Sequence, residues 1–404
     1  MKMKSKIVFA IDSLLAGLVV LLFLKFLPIL FSIDFLDPIQ NTVENFNATD
    51  IVFSQIRDHD AQPVDSNIVL VNIGNLNRKG IARQLEIISS YDPKVVGVDA
   101  FFRRPKGEEL DEALMEAMSE IENLVIVNKL SYNPEKKKFD SIERSHPMFL
   151  DYADESFANL ITAEGEFRTV RTFTPKQQVL GEEEIFFALR IAEIYDEKKT
   201  EKFLARNNEV ETINFKRNSD KYISIDAKEI FERADQLDFL EGKIVLLGFM
   251  GPDFDRKVTE DIFYTSMNDY YFGKTYPDMY GVVVHANIIS MVLEEDYIDT
   301  MNEDLVLAIS IFFIFLNVVL FKMIEDKVPE WYEPANFGII LFEIGAMFAI
   351  LINLLLHFGY EINFREVTLF GILFSATGYE LYKGSFRPMG IKFFKKVIFN
   401  PDSQ

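Results

Sequence analysis

Three stretches of this chain, residues 7–31, 305–321 and 338–356, are too long and too apolar to be core helices of a soluble domain. A membrane-spanning helix needs roughly 20 apolar residues at about 1.5 Å rise each. The third stretch meets that length. The first meets it if Lys25 snorkels to its outer rim, and the second if it extends to Ile324 with Lys322 at the rim. A fourth stretch, 367–381, is shorter and must recruit Gly371, Thr377 and Tyr379. The expected frame is four transmembrane helices over residues 7–31, 304–324, 338–357 and 367–382.

Charge sets the orientation. Residues 1–6 carry Lys2, Lys4 and Lys6 with no acid, which places them in the cytoplasm. The apolar run that follows exceeds a signal-peptide core of about 7–15 residues, and no A-x-A-like site comes after it, so it reads as an uncleaved anchor. Residues 32–303 then lie outside, and residues 325–337 form a cytoplasmic loop. The basic tail 383–404, with Lys383, Arg387, Lys392, Lys395 and Lys396 against Asp402, returns to the cytoplasm.

The chain has 42 basic and 63 acidic residues, net −21. Between Phe26 and Asn302 there are 30 basic and 51 acidic residues, so the whole excess sits in the outer domain. Such a surface repels nucleic acid and anionic headgroups. There is no cysteine, hence no disulfide and no thiolate chemistry.

Within that domain, residues 67–130 alternate between short β-branched runs and amphipathic stretches. "NIVLVNI" reads as a strand, 81–88 as a helix, "KVVGVDAFF" as a strand, "EELDEALMEAM" as a helix and "NLVIVNKL" as a strand. That order implies right-handed crossovers and a mainly parallel or mixed sheet, an α/β fold. Further on, "EEIFFALRIAEIY" reads as a helix, "GKIVLLGFMG" as a buried strand and "GVVVHANIISMVLEE" as a helix. Residues 131–176 read as hairpins and loops.

"VVGVDAFFRRP", "EGKIVLLGFMG" and "MYGVVVHANIISMVLEEDYI" before a membrane span together resemble the type-2 CHASE sensor domain, in that family's order, over about residues 67–299. The flanks agree, because the family places one span before the domain and commonly three after it. The resemblance implies an extracytoplasmic sensor in the bacterial cytoplasmic (inner) membrane that feeds a cytoplasmic cyclase or kinase. This sequence departs from the pattern, since only 22 residues follow Tyr382. Output is therefore expected in trans, from a separate protein.

Several residues stand out as candidates. Asp99 falls near a strand end, where open parallel sheets bind ligands. Gly248 and Gly251 flank a strand end where backbone approaches a small anion or turns tightly. His285 and Asn287 lie near a helix start, where exposed N–H groups favour negative ligands. One pocket shared by all five competes with a plainer reading, in which Asp99 caps a loop, the glycines turn and His285 packs. The four histidines, His59, His146, His285 and His357, show no metal spacing, and no nucleophile–base constellation or cofactor loop occurs.

In the membrane, Asp12, Asn317 and Glu343 fall at similar depth in the inner leaflet. They read either as a polar layer joining three helices or as groups wetted at the interface. Trp331 and Tyr332, between two prolines, suit interfacial anchoring or partner docking. Lys392, Lys395 and Lys396 alternate with apolar residues and suit anionic lipid.

The expected function is a non-enzymatic sensor or signal-relay subunit. Its partners are membrane lipid, a protein effector and an unidentified small-molecule or protein stimulus, with a homo-oligomer left open and no nucleic acid. The alternative is an envelope-assembly subunit whose acidic domain is a docking platform.

Overall fold

β-Branched runs become strands and the amphipathic stretches between them become covering helices, because each element must bury its apolar face on another. The computed structural model describes residues 3–31, 48–162, 169–256, 258–268, 276–362 and 366–391. In chain order the main elements are α1 (Met3–Phe31), β1 (Asp65–Asn72), α2 (Arg78–Ser89), β2 (Val95–Val98), α3 (Glu108–Ser119), β3 (Leu124–Asn133), β4 (Lys138–Glu143) and β5 (Asp154–Phe157). There follow α4 (Phe187–Tyr195), β6 (Tyr222–Ile225), β7 (Ile244–Gly248), β8 (Ile262–Phe263), β9 (Met279–Tyr280), α5 (Gly281–Glu294), α6 (Glu303–Lys327), α7 (Tyr332–Phe358) and α8 (Glu366–Leu381). They divide into two units, Thr49–Ile298 and the segments on either side of it.

The unit Thr49–Ile298 is an α/β sandwich around one mixed sheet in the order β6-β1-β7-β2-β3. Those pairings are all parallel, with Val69 opposite Val245, Val245 opposite Val96, and Val96 opposite Leu124. At the β3 edge, β5 adds in parallel and β4 turns back as an antiparallel hairpin. Val69, Val71, Val96, Val98, Val245 and Leu247 pack under α2 and α3. The opposite face is covered by α4 and α5. There, two glycines permit close approach: a Cβ on Gly97 would overlap Ile191 of α4, and one on Gly248 would lie 2.6 Å from Val282 Cβ of α5.

Three boundaries depart from the sequence reading. The strand expected over 94–102 stops at Val98. The helix expected from residue 183 starts at Phe187, because Glu182–Ile185 pairs back on Lys176–Val179. The intervening Leu180 and Gly181 both adopt positive φ, 54° and 95°, the geometry of a tight hairpin turn, and that turn overrides the helical pattern. The loop expected over 325–337 is largely helical: α6 runs to Lys327, a short turn Pro329–Trp331 follows, and α7 starts at Tyr332. Pro329 lacks an N–H to continue α6, while Pro334 falls in the first turn of α7, where prolines are tolerated.

The other unit is helical. The segments Glu303–Lys327 and Pro329–Phe358 are long and apolar enough to cross a membrane. Beyond α8 the helical backbone continues through a π turn, Tyr382–Phe386, to residue 391, so the expected tail 383–404 begins as helix. Small residues set the packing: Gly17 meets Phe315, Gly371 meets Ile314 and Gly378 meets Val20, each without room for a side chain. Asp299–Thr300, just ahead of α6, pairs in parallel with Tyr360–Glu361, between α7 and α8.

The Gly248–Val282 contact gives a direct test. Gly248→Ala must push α5 off β7 or distort the strand, and should destabilise the chain by about 1–3 kcal/mol in chemical unfolding of the detergent-solubilised protein. An unchanged midpoint would show that α5 does not depend on this contact.

Candidate functional site

The carboxyl ends of β1, β7 and β6 are fixed first by Asn72. Its Oδ1 accepts from the N–H groups of Gly74 and Met250, both at 2.9 Å, and its Nδ2 donates to Asp226 (2.8 Å) and to the Gly251 carbonyl (3.1 Å). Gly251 sits at φ +93°, where a side chain would be strained and would press on the Arg256 carbonyl. This node holds the β7 turn beside β1, and the sequence reading did not single it out.

Asp99 follows β2, its N–H bonded to the Leu247 carbonyl at 2.8 Å. Its carboxylate faces His285 on α5, with Oδ2 and Nε2 3.8 Å apart, too long for a hydrogen bond. Asp261 completes the group. It stands just before β8 with φ +52°, and its carbonyl accepts from the Gly281 N–H at 3.1 Å. A Cβ added at Gly281 would lie 3.3 Å from both Asp261 carboxylate oxygens, which places that carboxylate over the first turn of α5. Asp261 also escaped the sequence reading, since an aspartate in a loop carries no periodic signal.

The electrostatics are those of polar groups without partners. Burial, with the Asp261 charge nearby, pushes the Asp99 carboxyl up to about 7. Partial desolvation, with Glu260 beside it, pushes the solvent-exposed Asp261 up to about 6. Burial alone holds the His285 imidazole down to about 3, so the ring is neutral. It lies against Phe186 and Phe187, at centroid distances of 5.4 and 5.1 Å, and its Nδ1 has no hydrogen-bond partner. Among the described residues no side-chain hydrogen bond reaches Asp99 or Asp261 either.

The remaining candidates serve other ends. Gly248 makes room for Val282. Asn287 is buried and saturated: it accepts from the Lys216 and Arg217 N–H groups and donates to the Arg217 and Val283 carbonyls. It clips a loop to α5 and has no donor left for a ligand. The five-residue pocket of the sequence reading thus contracts to Asp99 and His285, with Asp261 added. No group of three or more side chains able to hold a metal occurs among the described residues.

The expected polar layer of the helical unit resolves into two separate contacts. Asp12 accepts from Lys322 (2.9 Å) and Tyr382 (2.6 Å) and forms an ion pair with Arg387 (3.0 Å), joining α1, α6 and the helix after α8. Asn317 donates to Glu343 at 2.8 Å, joining α6 to α7. Lys322, expected at a membrane rim, is instead buried beside Asp12 and the Phe9 ring. Trp331 is exposed, whereas Tyr332 is buried, so of that pair only the tryptophan is accessible. Lys392, Lys395 and Lys396 lie outside the described residues.

A carboxyl whose folded pKa is raised is stabilising while protonated and loses that stabilisation as pH rises through the folded value. For Asp99 the window runs from about 4 to about 7, and the raised Asp261 acts in the same sense. Stability of the full chain should therefore fall across that range. Asp99→Asn should flatten the slope and stabilise the protein at pH 8 by on the order of 1 kcal/mol. Unfolding curves at pH 5 and pH 8 decide it, and an unaltered slope would refute the electrostatic reading.

Comparison with curated proteins and with solved structures returns no match. The CHASE2 domain profile matches residues 14–320, a wider span than the sequence resemblance covered, and CHASE2 is an extracellular sensor domain family. The chain belongs to the CHASE2 domain family.

Proposed function

We propose that this protein is a membrane-anchored sensor or signal-relay subunit that reads a stimulus at the Asp99–Asp261–His285 site and passes its state to a separate effector. One observation carries the reading: a single buried helix, α5, has the Asp99–Asp261–His285 group at its start and a hydrogen-bonded polar clasp at its end. Its fourteen residues span about 21 Å.

The clasp is built from both connections of the outer unit to the membrane. Glu294 accepts from Lys216 (2.7 Å) and Arg217 (2.6 Å), and Ser290 donates to Asp65 at 2.6 Å. Asn214 donates to the Asp296 carbonyl (3.1 Å) while accepting from Arg57 (2.9 Å), so the entering and leaving segments share one side chain. Arg206 donates to the Ile298 carbonyl at 3.1 Å, and Arg171 holds Asp50 with a 2.6 Å contact. The next residues, Asp299–Thr300, pair with Tyr360–Glu361. A shift of α5 thus has a continuous route into the segment that starts α6.

In this reading the acidic unit lies outside the bacterial inner membrane, four helices cross it, and both termini are cytoplasmic. The chain performs no catalysis and the effector acts in trans. The Asp12 and Asn317–Glu343 contacts link the helices, and exposed Trp331 offers the effector a contact.

Hydrogen exchange on the full chain in nanodiscs tests the route. Asp99→Asn should change protection of residues 294–301 by several-fold, and Asn214→Ala should abolish that response. An exit segment indifferent to Asp99→Asn would defeat the relay. A photo-crosslinker at position 331 in native membranes should join the chain to a cytoplasmic kinase or cyclase. Capture of periplasmic proteins alone, from labels on the outer unit, would favour the docking platform.

A further inference from the structure

Asp12 and Glu343 both stand among apolar helices, and the chain treats them differently. Asp12 accepts from Lys322 and Tyr382 and pairs with Arg387. Glu343 receives a 2.8 Å hydrogen bond from the neutral Asn317 amide and, among the described residues, has no ion-pair partner. The cations at that end of the helical unit are engaged elsewhere: Lys322 and Arg387 by Asp12, and Lys383 by Glu325.

Glu343 lies on a helix that the rest of the chain barely covers. Of the apolar window of α7, 11% is buried, against 33% for α6. Ile339, Glu343, Ala346 and Ile350 recur at alternating steps of four and three residues, the spacing of a helix–helix seam. The first three are half-buried and Ile350 is 55% exposed. Asn353 continues the seam, exposed, with its amide donating to the Ala349 carbonyl of its own helix at 2.7 Å. An ionisable group on such a face is costly in lipid and is stabilised by an opposite charge from a neighbouring helix.

We infer that Ile339, Glu343, Ala346 and Ile350 form the docking seam for a transmembrane helix of the effector, one that carries a Lys or Arg at the depth of Glu343. The inference deepens the relay reading and rests on its placement of α7 in the membrane. Glu343 then stands five residues into the span 338–357, about 7.5 Å from its cytoplasmic end. Asn317 supports one carboxylate oxygen and the partner's cation takes the other. One turn further on, Ala346 is small enough to let a second backbone approach. A second copy of this chain fits the seam poorly, because a two-fold contact would set Glu343 against Glu343.

The probe is a fluorescent oligoleucine transmembrane peptide with one Lys five residues from its end, compared with versions carrying Leu or Glu there. Energy transfer to a dye on the full chain in nanodiscs reads association. The Lys peptide should associate roughly fivefold or more tightly than the Leu peptide, and the Glu peptide no better than Leu. Glu343→Gln keeps an acceptor for Asn317, so it should erase the Lys preference without moving the unfolding midpoint. Ala346→Trp should block the seam and weaken the Lys peptide with Glu343 intact.

Equal association of the Lys and Leu peptides, a Lys preference that survives Glu343→Gln, or indifference to Ala346→Trp would each overturn the seam. The chain has no cysteine, so Ala346→Cys reports on the placement of α7, and resistance to a membrane-impermeant maleimide is expected. Labelling there would sink the membrane placement and the seam together. Resistance with no Lys preference sinks the seam alone. A Lys preference with residues 294–301 unmoved by Asp99→Asn keeps the seam and sinks the relay.

Discussion

The burial of α5 against the sheet is the constraint on which the outer unit depends. Thirteen of its fourteen residues are buried, and Gly248 brings β7 into contact with Val282 near its start. Each buried Val, Ile, Leu or Met contributes about 1.5–3 kcal/mol relative to exposure, so the helix is held over its whole length. Such a helix does not bend at leisure. Close-packed interiors respond to a change at one end by shifting as a body or by adopting an alternative packing. That stiffness is why its two polar ends matter together.

The asymmetry between those ends is electrostatic. At the start, Asp99, Asp261 and His285 lack side-chain hydrogen-bond partners among the described residues; partial desolvation and neighbouring negative charge hold both carboxyls high, and burial holds the imidazole low. At the end, Glu294 is kept below the usual carboxylate range by its hydrogen bonds and charges from Lys216 and Arg217, which outweigh its burial. One end is poised to change its charge near neutrality. The other keeps its charge throughout the same range and so acts as a fixed grip on the leaving segment.

Much of this architecture was legible in the sequence because periodicity reports burial. β1, α2, α3, β3 and α5 fall within a few residues of their expected places, since each alternates or repeats at the spacing of its element. The failures share a cause. The strand ending at Val98 and the hairpin at Leu180–Gly181 are set by partners and turn geometry that no local pattern encodes. Of the site, Asp99 and His285 were legible because they flank recognisable elements. Asp261 was not, as its place depends on a left-handed loop residue meeting the first turn of a helix twenty residues later. Asn287 looked like a ligand residue for the same reason it is not one: a polar group inside a buried helix has to be satisfied, and here the backbone of residues 216 and 217 satisfies it.

The helical unit obeys the same logic. Between apolar helices, a buried polar group must find a partner. Asp12 finds three, on α6 and on the helix beyond α8, and Glu343 finds Asn317. The glycines at 17, 371 and 378 bring α1, α6 and α8 close enough for the long Lys322 and Arg387 side chains to reach one carboxylate. Polar contacts of this kind are directional where apolar packing is not. A rotation or slide of α6 would trade specific bonds to Asp12 rather than slip freely, and the pairing of Asp299–Thr300 with Tyr360–Glu361 ties the start of α6 to the turn between α7 and α8. Contacts thereby join the helices at both ends of α6.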